Sequence, residues 1–127
     1  MSLLDGGCRE VLEATEFVTI VTTSTDGPHV VATWGDYIRQ LGIEGDRLLI
    51  PAGYYFDTEE NLHRDPRIQL LAASRRVEGR TGPGQGYVLK GTGSIVTSGE
   101  EMDRVKSHFL WARGVLVVQV EEAEAHL

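Results

Sequence analysis

Short runs of alternating apolar and polar residues, broken by turn residues, dominate this chain and predict strands more often than helices. Phe17 to Thr23 (FVTIVTT) is almost entirely β-branched or aromatic, which suits a pleated, half-buried strand. Ser24-Thr25-Asp26-Gly27 follows, and its Asp-Gly pair is a hairpin signal. Pro28 to Arg39 (PHVVATWGDYIR) returns as a second strand, and Glu44-Gly45-Asp46 turns the chain again. Arg47 to Pro51 (RLLIP), Ile68 to Ala73 (IQLLAA), Tyr87 to Thr97 (YVLKGTGSIVT) and Gly114 to Val120 (GVLVVQV) complete a set of six strands. Gly91 and Gly93 predict a bend or bulge in the fifth. Helical spacing is confined to three short places. Cys8 to Glu16 carries Val11 and Leu12, with Phe17 on the same buried side. Asp57-Thr58-Glu59-Glu60 has capping-box spacing and starts a helix that Asp65-Pro66 stops. Ser98-Gly99-Glu100-Glu101 repeats the capping pattern before Met102, Val105 and Phe109, which share one face.

Six strands with hairpin-like links imply a mainly β fold, an antiparallel barrel with two or three short peripheral helices. The 127 residues suffice for one domain, 1–127, with a real core and do not suffice for two. Hydrophobic residues at 41% and a high glycine count of 15 suit a turn-rich globular chain. The formal charge of −7 argues against general nucleic-acid binding and against docking on an anionic membrane. Cys8 is the only cysteine, which excludes an internal disulfide and a thiolate metal cage. Met1 to Arg9 lacks a basic start and an apolar stretch, and no apolar run nears the ~20 residues of a membrane helix, so a cytoplasmic location is expected.

Hydrolase elbows, phosphate-binding Walker loops and zinc-protease helices are all missing. His29, His63, His108 and His126 are scattered without metal-ligand spacing and read as surface or capping residues. The run Gly79-Arg80-Thr81-Gly82-Pro83-Gly84-Gln85-Gly86 offers backbone N–H groups beside Arg75, Arg76 and Arg80. Such a loop suits an anion such as phosphate, and equally suits a flexible hairpin connection with solvated arginines. Trp34 and Tyr37 on one strand segment, Tyr54, Tyr55 and Phe56 on a loop, and Trp111 at a helix end serve either as core or as walls for a planar ligand.

Thr25-Asp26-Gly27-Pro28-His29, Ala32-Thr33-Trp34, Asn61-Leu62-His63-Arg64-Asp65, Gly79 to Gly86 and Trp111-Ala112-Arg113 occur in a distinctive order and spacing. Taken together they resemble the small dimeric FMN-binding proteins of anaerobic bacteria, within the pyridoxamine 5′-phosphate oxidase-like split-barrel superfamily. The likeness runs from about Val11 to Leu127. It implies a six-stranded split β-barrel, a homodimer, and noncovalent FMN near the subunit interface. By the same resemblance, Thr33 and Trp34 lie beside the flavin ring, with Tyr37 and Trp111 as aromatic neighbours. Pro51, Ala52, Gly53 and Tyr55 belong to a segment lining the ring, and Thr58 contacts the phosphate. Ser74 and Arg75 begin the loop, carrying Gln85, that helps enclose the cofactor, and Leu127 covers the flavin of the partner subunit.

Two positions depart from the family pattern. Ala32 stands where asparagine is frequent, which removes a polar handle near the ring. Asp57 stands where the family places a phosphate-binding lysine. A carboxylate there competes for the backbone donors of the helix start, and at ~4–6 Å the reversal of charge costs on the order of 1–4 kcal/mol. The function implied is electron transfer by FMN with an unknown redox partner, no nucleic acid and no metal. A flavin-dependent reductase or oxidase, and a split-barrel dimer that has lost flavin, are the alternatives. Acidic balance disfavours added negative charge on a bound flavin and lowers its reduction potential.

Overall fold

A computed structural model describes residues 2–127 of the chain. Six strands form one antiparallel sheet curled into a half-barrel, with four short helices around it. The strands are β1 (Phe17–Ser24), β2 (Gly27–Trp34), β3 (Arg47–Ala52), β4 (Arg67–Gly79), β5 (Gly82–Val96) and β6 (Gly114–Ala125). The helices are α1 (Gly6–Ala14), α2 (Gly35–Leu41), α3 (Phe56–Arg64) and α4 (Glu100–His108). No helix among the described residues is long and apolar enough to cross a membrane.

Strand order is β2-β1-β4-β5-β6-β3, so β2 and β3 are the two free edges. Alternation decides which side chains face in. Val18, Ile20 and Thr22 of β1 are buried, and their partners Thr33, Val31 and His29 on β2 share that inner face. Ile68, Leu70 and Ala72 of β4 and Leu116, Val118 and Val120 of β6 continue the inward set. α1 closes one mouth by burying Cys8, Val11 and Leu12. Burial pushes the Cys8 thiol up to about 11, which keeps it protonated. A second cluster of Leu41, Leu49, Met102, Val105, Phe109 and Val115 packs α2 and α4 on the outside of β3 and β6.

Four features depart from the sequence reading. The strand expected to run to Arg39 ends at Trp34, and the chain becomes α2, which carries Tyr37. Buried Gly35, Ile38 and Leu41 are three residues apart, a helical spacing that follows directly on the β-branched run. The Gly35 N–H donates to the Glu16 carbonyl at 2.9 Å and pins the changeover against the start of β1. The expected loop of Ser74 to Gly86 is instead the far end of a long β4–β5 hairpin, turning at Arg80-Thr81. An irregular register between Ser74 and Glu78 bends it, and only Val77 of that stretch is buried. Neither capping box forms: Tyr55 and Gly99 are the N-caps of α3 and α4, and neither makes a side-chain cap bond. Phe17 is not buried beside α1; it is about half exposed on the outer face of β1.

A bulge between β5 and β6 corresponds to the bend expected near Gly91. Lys90 pairs with Glu122 and Gly91 with Val120, leaving Glu121 over. A Cβ at Gly91 would lie 1.9 Å from the Gln119 carbonyl oxygen, so no larger residue fits without backbone movement.

Candidate functional site

The free edges of the half-barrel meet at one corner. There the Tyr55 hydroxyl, just beyond β3, donates to the Ala32 carbonyl on β2 at 2.7 Å. Burial pushes that hydroxyl above the usual tyrosine range, against the opposing influence of its hydrogen bond with Thr33. It therefore remains a donor at neutral pH. The corner opens into a cleft of about 460 Å³ lined by Thr33, Trp34, Tyr37, Pro51, Gly53 and Trp111, with Ala32, Tyr54, Tyr55 and Arg113 at its margins. Its size is that of a small-molecule site.

The walls come from four different segments. β2 ends in Thr33 and Trp34, α2 supplies Tyr37, the end of β3 supplies Pro51, and the stretch after α4 supplies Trp111. Tyr37 packs on Phe109 at 4.9 Å and on Trp111 at 5.6 Å between ring centres, so the aromatic wall is braced from behind. Gly53 lies against the Trp111 ring, which a Cβ there would meet at 3.4 Å, near ordinary van der Waals contact. Arg113 holds the segment in place. Its Nε donates to the Gly53 carbonyl and a terminal nitrogen to Glu59, both at 3.1 Å, while the guanidinium lies 4.4 Å from the Phe56 ring centre. No carboxylate, histidine, lysine or cysteine lines this cleft among the described residues.

On the other side of Tyr54 and Tyr55 lies a smaller hollow of about 310 Å³, bounded by His29, Val31, Phe56, Asp57 and Thr58. It sits at the N-terminus of α3, where the first intrahelical bond runs from the Glu59 N–H to the Tyr55 carbonyl. The N–H groups of Phe56, Asp57 and Thr58 thus have no partner within the helix, which favours negative charge beside them. Thr58 is fully buried, yet its hydroxyl has no hydrogen-bond partner among the described residues. The buried Nδ1 of His29 has none either.

The residues singled out from sequence divide into two groups. Thr33, Trp34, Tyr37, Pro51, Gly53, Tyr55 and Trp111 come together in the aromatic cleft, and Asp57 and Thr58 bound the adjoining hollow. Ala32 reaches the cleft, and its carbonyl is taken by Tyr55. Ala52 does not line it; its side chain is fully buried in the core and its carbonyl accepts from the Arg113 N–H at 2.8 Å. Ser74, Arg75, Gln85 and Leu127 gather elsewhere, around a hollow of about 400 Å³ along the β4–β5 hairpin. Gln85 anchors the chain end there, its Oε1 accepting from the N–H of Gly86 at 2.8 Å and of Leu127 at 3.1 Å. A further hollow of about 550 Å³ lies across the sheet between Arg39, Phe17 and Arg76. Sequence reasoning missed Arg113 and His29 as members of the site. Both stand in the quoted stretches Trp111-Ala112-Arg113 and Thr25 to His29, but only the fold brings them to the cleft and the hollow.

Comparison with known proteins gives a consistent picture. Residues 4–127 match the family model described as pyridoxamine 5′-phosphate oxidase. The chain is 40% identical over 125 residues to the FMN-binding protein of Nitratidesulfovibrio vulgaris (strain DSM 19637 / Miyazaki F), covering 98% of this chain and 100% of that one. Among solved structures, a variant of HupZ from Group A Streptococcus superposes with a TM-score of 0.77 at 15% identity, covering 97% of this chain and 99% of that one. A FAD-binding protein from Mesorhizobium loti superposes with a TM-score of 0.66 at 15% identity, covering 93% and 90%. At those identities the two structures share the fold with this chain and no more.

Proposed function

The chain belongs to the pyridoxamine 5′-phosphate oxidase family, and from that premise we propose that it is a noncovalent FMN-binding flavoprotein that transfers electrons as a homodimer. The observation that carries the reading is the junction of an aromatic-walled cleft with a hollow bounded by two residues that carry buried, unpartnered polar atoms. An isoalloxazine suits the first and a phosphate the second. Bound FMN supplies one- and two-electron redox chemistry, while the protein supplies position and electrostatics. Trp34, Tyr37 and Trp111 wall the ring, Tyr55 keeps the strand edges together at its margin, and Thr58 with the α3 N–H groups receives the phosphate. A cleft whose described lining has no carboxylate, histidine, lysine or cysteine, and whose Tyr55 hydroxyl is engaged with the Ala32 carbonyl, favours electron transfer over a flavin-dependent reductase or oxidase.

Two observations support the homodimer. Phe17, Val30, Trp34 and Leu71 are all exposed on the outer face of β1, β2 and β4, where Phe17 sits opposite Trp34. A contiguous apolar face of that kind marks an association surface. In addition, the Ser74, Arg75, Gln85 and Leu127 group lines a hollow separate from the aromatic cleft. The family resemblance places Leu127 of one protomer over the flavin of the other, which fits this separation. A soluble, cytoplasmic dimer is part of the same reading.

Titrating the flavin-free protein with FMN should quench flavin fluorescence saturably at one FMN per protomer. Absence of quenching would leave the third alternative, a dimer that has lost its flavin. Rapid bleaching of the yellow protein by NADH or NADPH would instead favour a reductase. The Asp57 carboxylate is 81% exposed and 4.0 Å from His29 Nε2, so water screens much of its repulsion. Asp57→Lys should therefore raise FMN affinity by only about tenfold, the low end of the electrostatic range, and leave riboflavin affinity unchanged. Parallel titrations of the two flavins check it, and an equal gain for both would refute a phosphate effect.

A further inference from the structure

The hollow at the start of α3 contains one residue that nothing above assigns to a ligand. His29 lies on the inner face of β2, opposite Thr22 of β1. The Thr22 hydroxyl is occupied, accepting from Asn61 Nδ2 of α3 at 3.1 Å. Asn61 Oδ1 in turn accepts from Arg64 at 2.7 Å, so Thr22 and Asn61 each have a side-chain partner other than the imidazole. His29 is the exception. Its Nδ1 is buried without a partner, and its Nε2 approaches only the Asp57 carboxylate, at 4.0 Å, beyond hydrogen-bonding distance.

The electrostatic surroundings are simple. Among the residues bounding the hollow, Asp57 is the only one with a charged side chain, and β1 presents the uncharged Thr22 opposite His29. No lysine or arginine among the described residues lines it. The unpaired α3 N–H groups and the buried Thr58 hydroxyl supply donors and partial positive charge, but His29 is the one side chain there able to bring a full positive charge. An anion entering the hollow would meet the exposed part of the His29 ring, whose side chain is 28% exposed, while Nδ1 and the Thr58 hydroxyl are shielded from solvent behind it. Asp57, 4.0 Å from Nε2, repels the anion.

We propose that His29 reads the terminal phosphate of the flavin, and that its protonation makes phosphate recognition in this protein pH-dependent. The inference rests on the flavin reading above and goes beyond it. It assigns the cationic role to a strand histidine where Asp57 supplies no cation. By linkage, phosphate binding takes up a proton at His29, so selectivity for FMN over riboflavin rises as pH falls. Phosphate itself loses charge over the same range, which works in the opposite direction and is shared by any variant.

The test is fluorescence titration of the full chain with FMN and with riboflavin between about pH 8 and about pH 6, in the wild type and in His29→Gln. In the wild type the ratio of FMN to riboflavin affinity should rise about tenfold towards the acid end, the size of one charge-assisted hydrogen bond. In His29→Gln the ratio should stay flat or fall, because only the titration of phosphate remains. Ring 15N shifts of wild-type His29 give a second readout that needs no variant: FMN should hold the ring as imidazolium at neutral pH, and riboflavin should not. Binding of both flavins with the same pH profile in both proteins, or a His29 ring unmoved by FMN, would overturn the role of His29 and leave the flavin reading intact. Binding of neither flavin by the wild type would overturn the flavin reading and this inference with it.

Discussion

Replacing Phe17 and Leu71 together by glutamate should convert the protein to a monomer and weaken FMN binding by at least about a hundredfold. Both side chains point out of the sheet, Phe17 on β1 and Leu71 on β4, and neither belongs to the buried clusters. Their partners in register, Trp34 and Thr19, lie on the same outer face, so the substitutions strike the middle of the proposed interface. In a two-fold assembly each change appears twice, and carboxylates removed from water without partners cost several kcal/mol. The flavin effect follows from geometry. A lone protomer keeps Trp34, Tyr37 and Trp111 but loses whatever Arg75 and Leu127 contribute from the other copy. Sedimentation velocity and FMN titration on the same sample check both parts. A glutamate double variant that remains dimeric would place the association surface elsewhere. A monomer with undiminished FMN affinity would show that one chain suffices for the site.

Gly91→Ala should lower stability by about 3 kcal/mol, near the upper end for a single change. The close approach there is to backbone: the added Cβ would meet the Gln119 carbonyl oxygen at 1.9 Å, its carbon at 2.9 Å and Val120 Cα at 3.0 Å. None of these can swing aside as a flexible side chain could. Relief requires the β5–β6 bulge to open, and that bulge sets the register by which β6 runs on to pair Ala125 with Tyr87. Urea unfolding at fixed protomer concentration should show the midpoint displaced downward with its slope unchanged. An unmoved midpoint would mean that the strands adjust at little cost.

Much of the frame was legible because strand formation here is local. The β-branched run of β1, the Asp26-Gly27 turn and the apolar stretch at Leu48 to Ile50 each announce themselves within a few residues. α2 was harder to see because Val30 to Trp34 carries a strong strand signal straight into it. Ile38 and Leu41 record the helix only once Gly35 is known to dock on the carbonyl of Glu16. Glycine and arginine in the stretch from Ser74 to Gly86 resemble a loop in composition, yet the pairing of Ser74 with Gln85 and of Glu78 with Pro83 makes them strand. The capping boxes failed for a related reason. Asp57 and Ser98 have the right spacing, but the chain enters α3 and α4 at Tyr55 and Gly99, so neither side chain stands at the N-cap position.

By itself the sequence determined the number of strands and their antiparallel character, because these follow from side-chain period and residue type, while the aromatic residues that meet in the cleft were implied only by the family resemblance. The tertiary structure alone decided that Tyr37 reaches the cleft from a helix, that Ala52 faces the core, and that Gln85 holds the chain end. It also decided that His29 and Thr58 lie with unspent hydrogen-bonding capacity beside Asp57. Those facts depend on pairings between residues distant along the chain. A histidine on a strand and a threonine in a helix are brought side by side with buried, unpartnered polar atoms only by the packing of β2 against the start of α3.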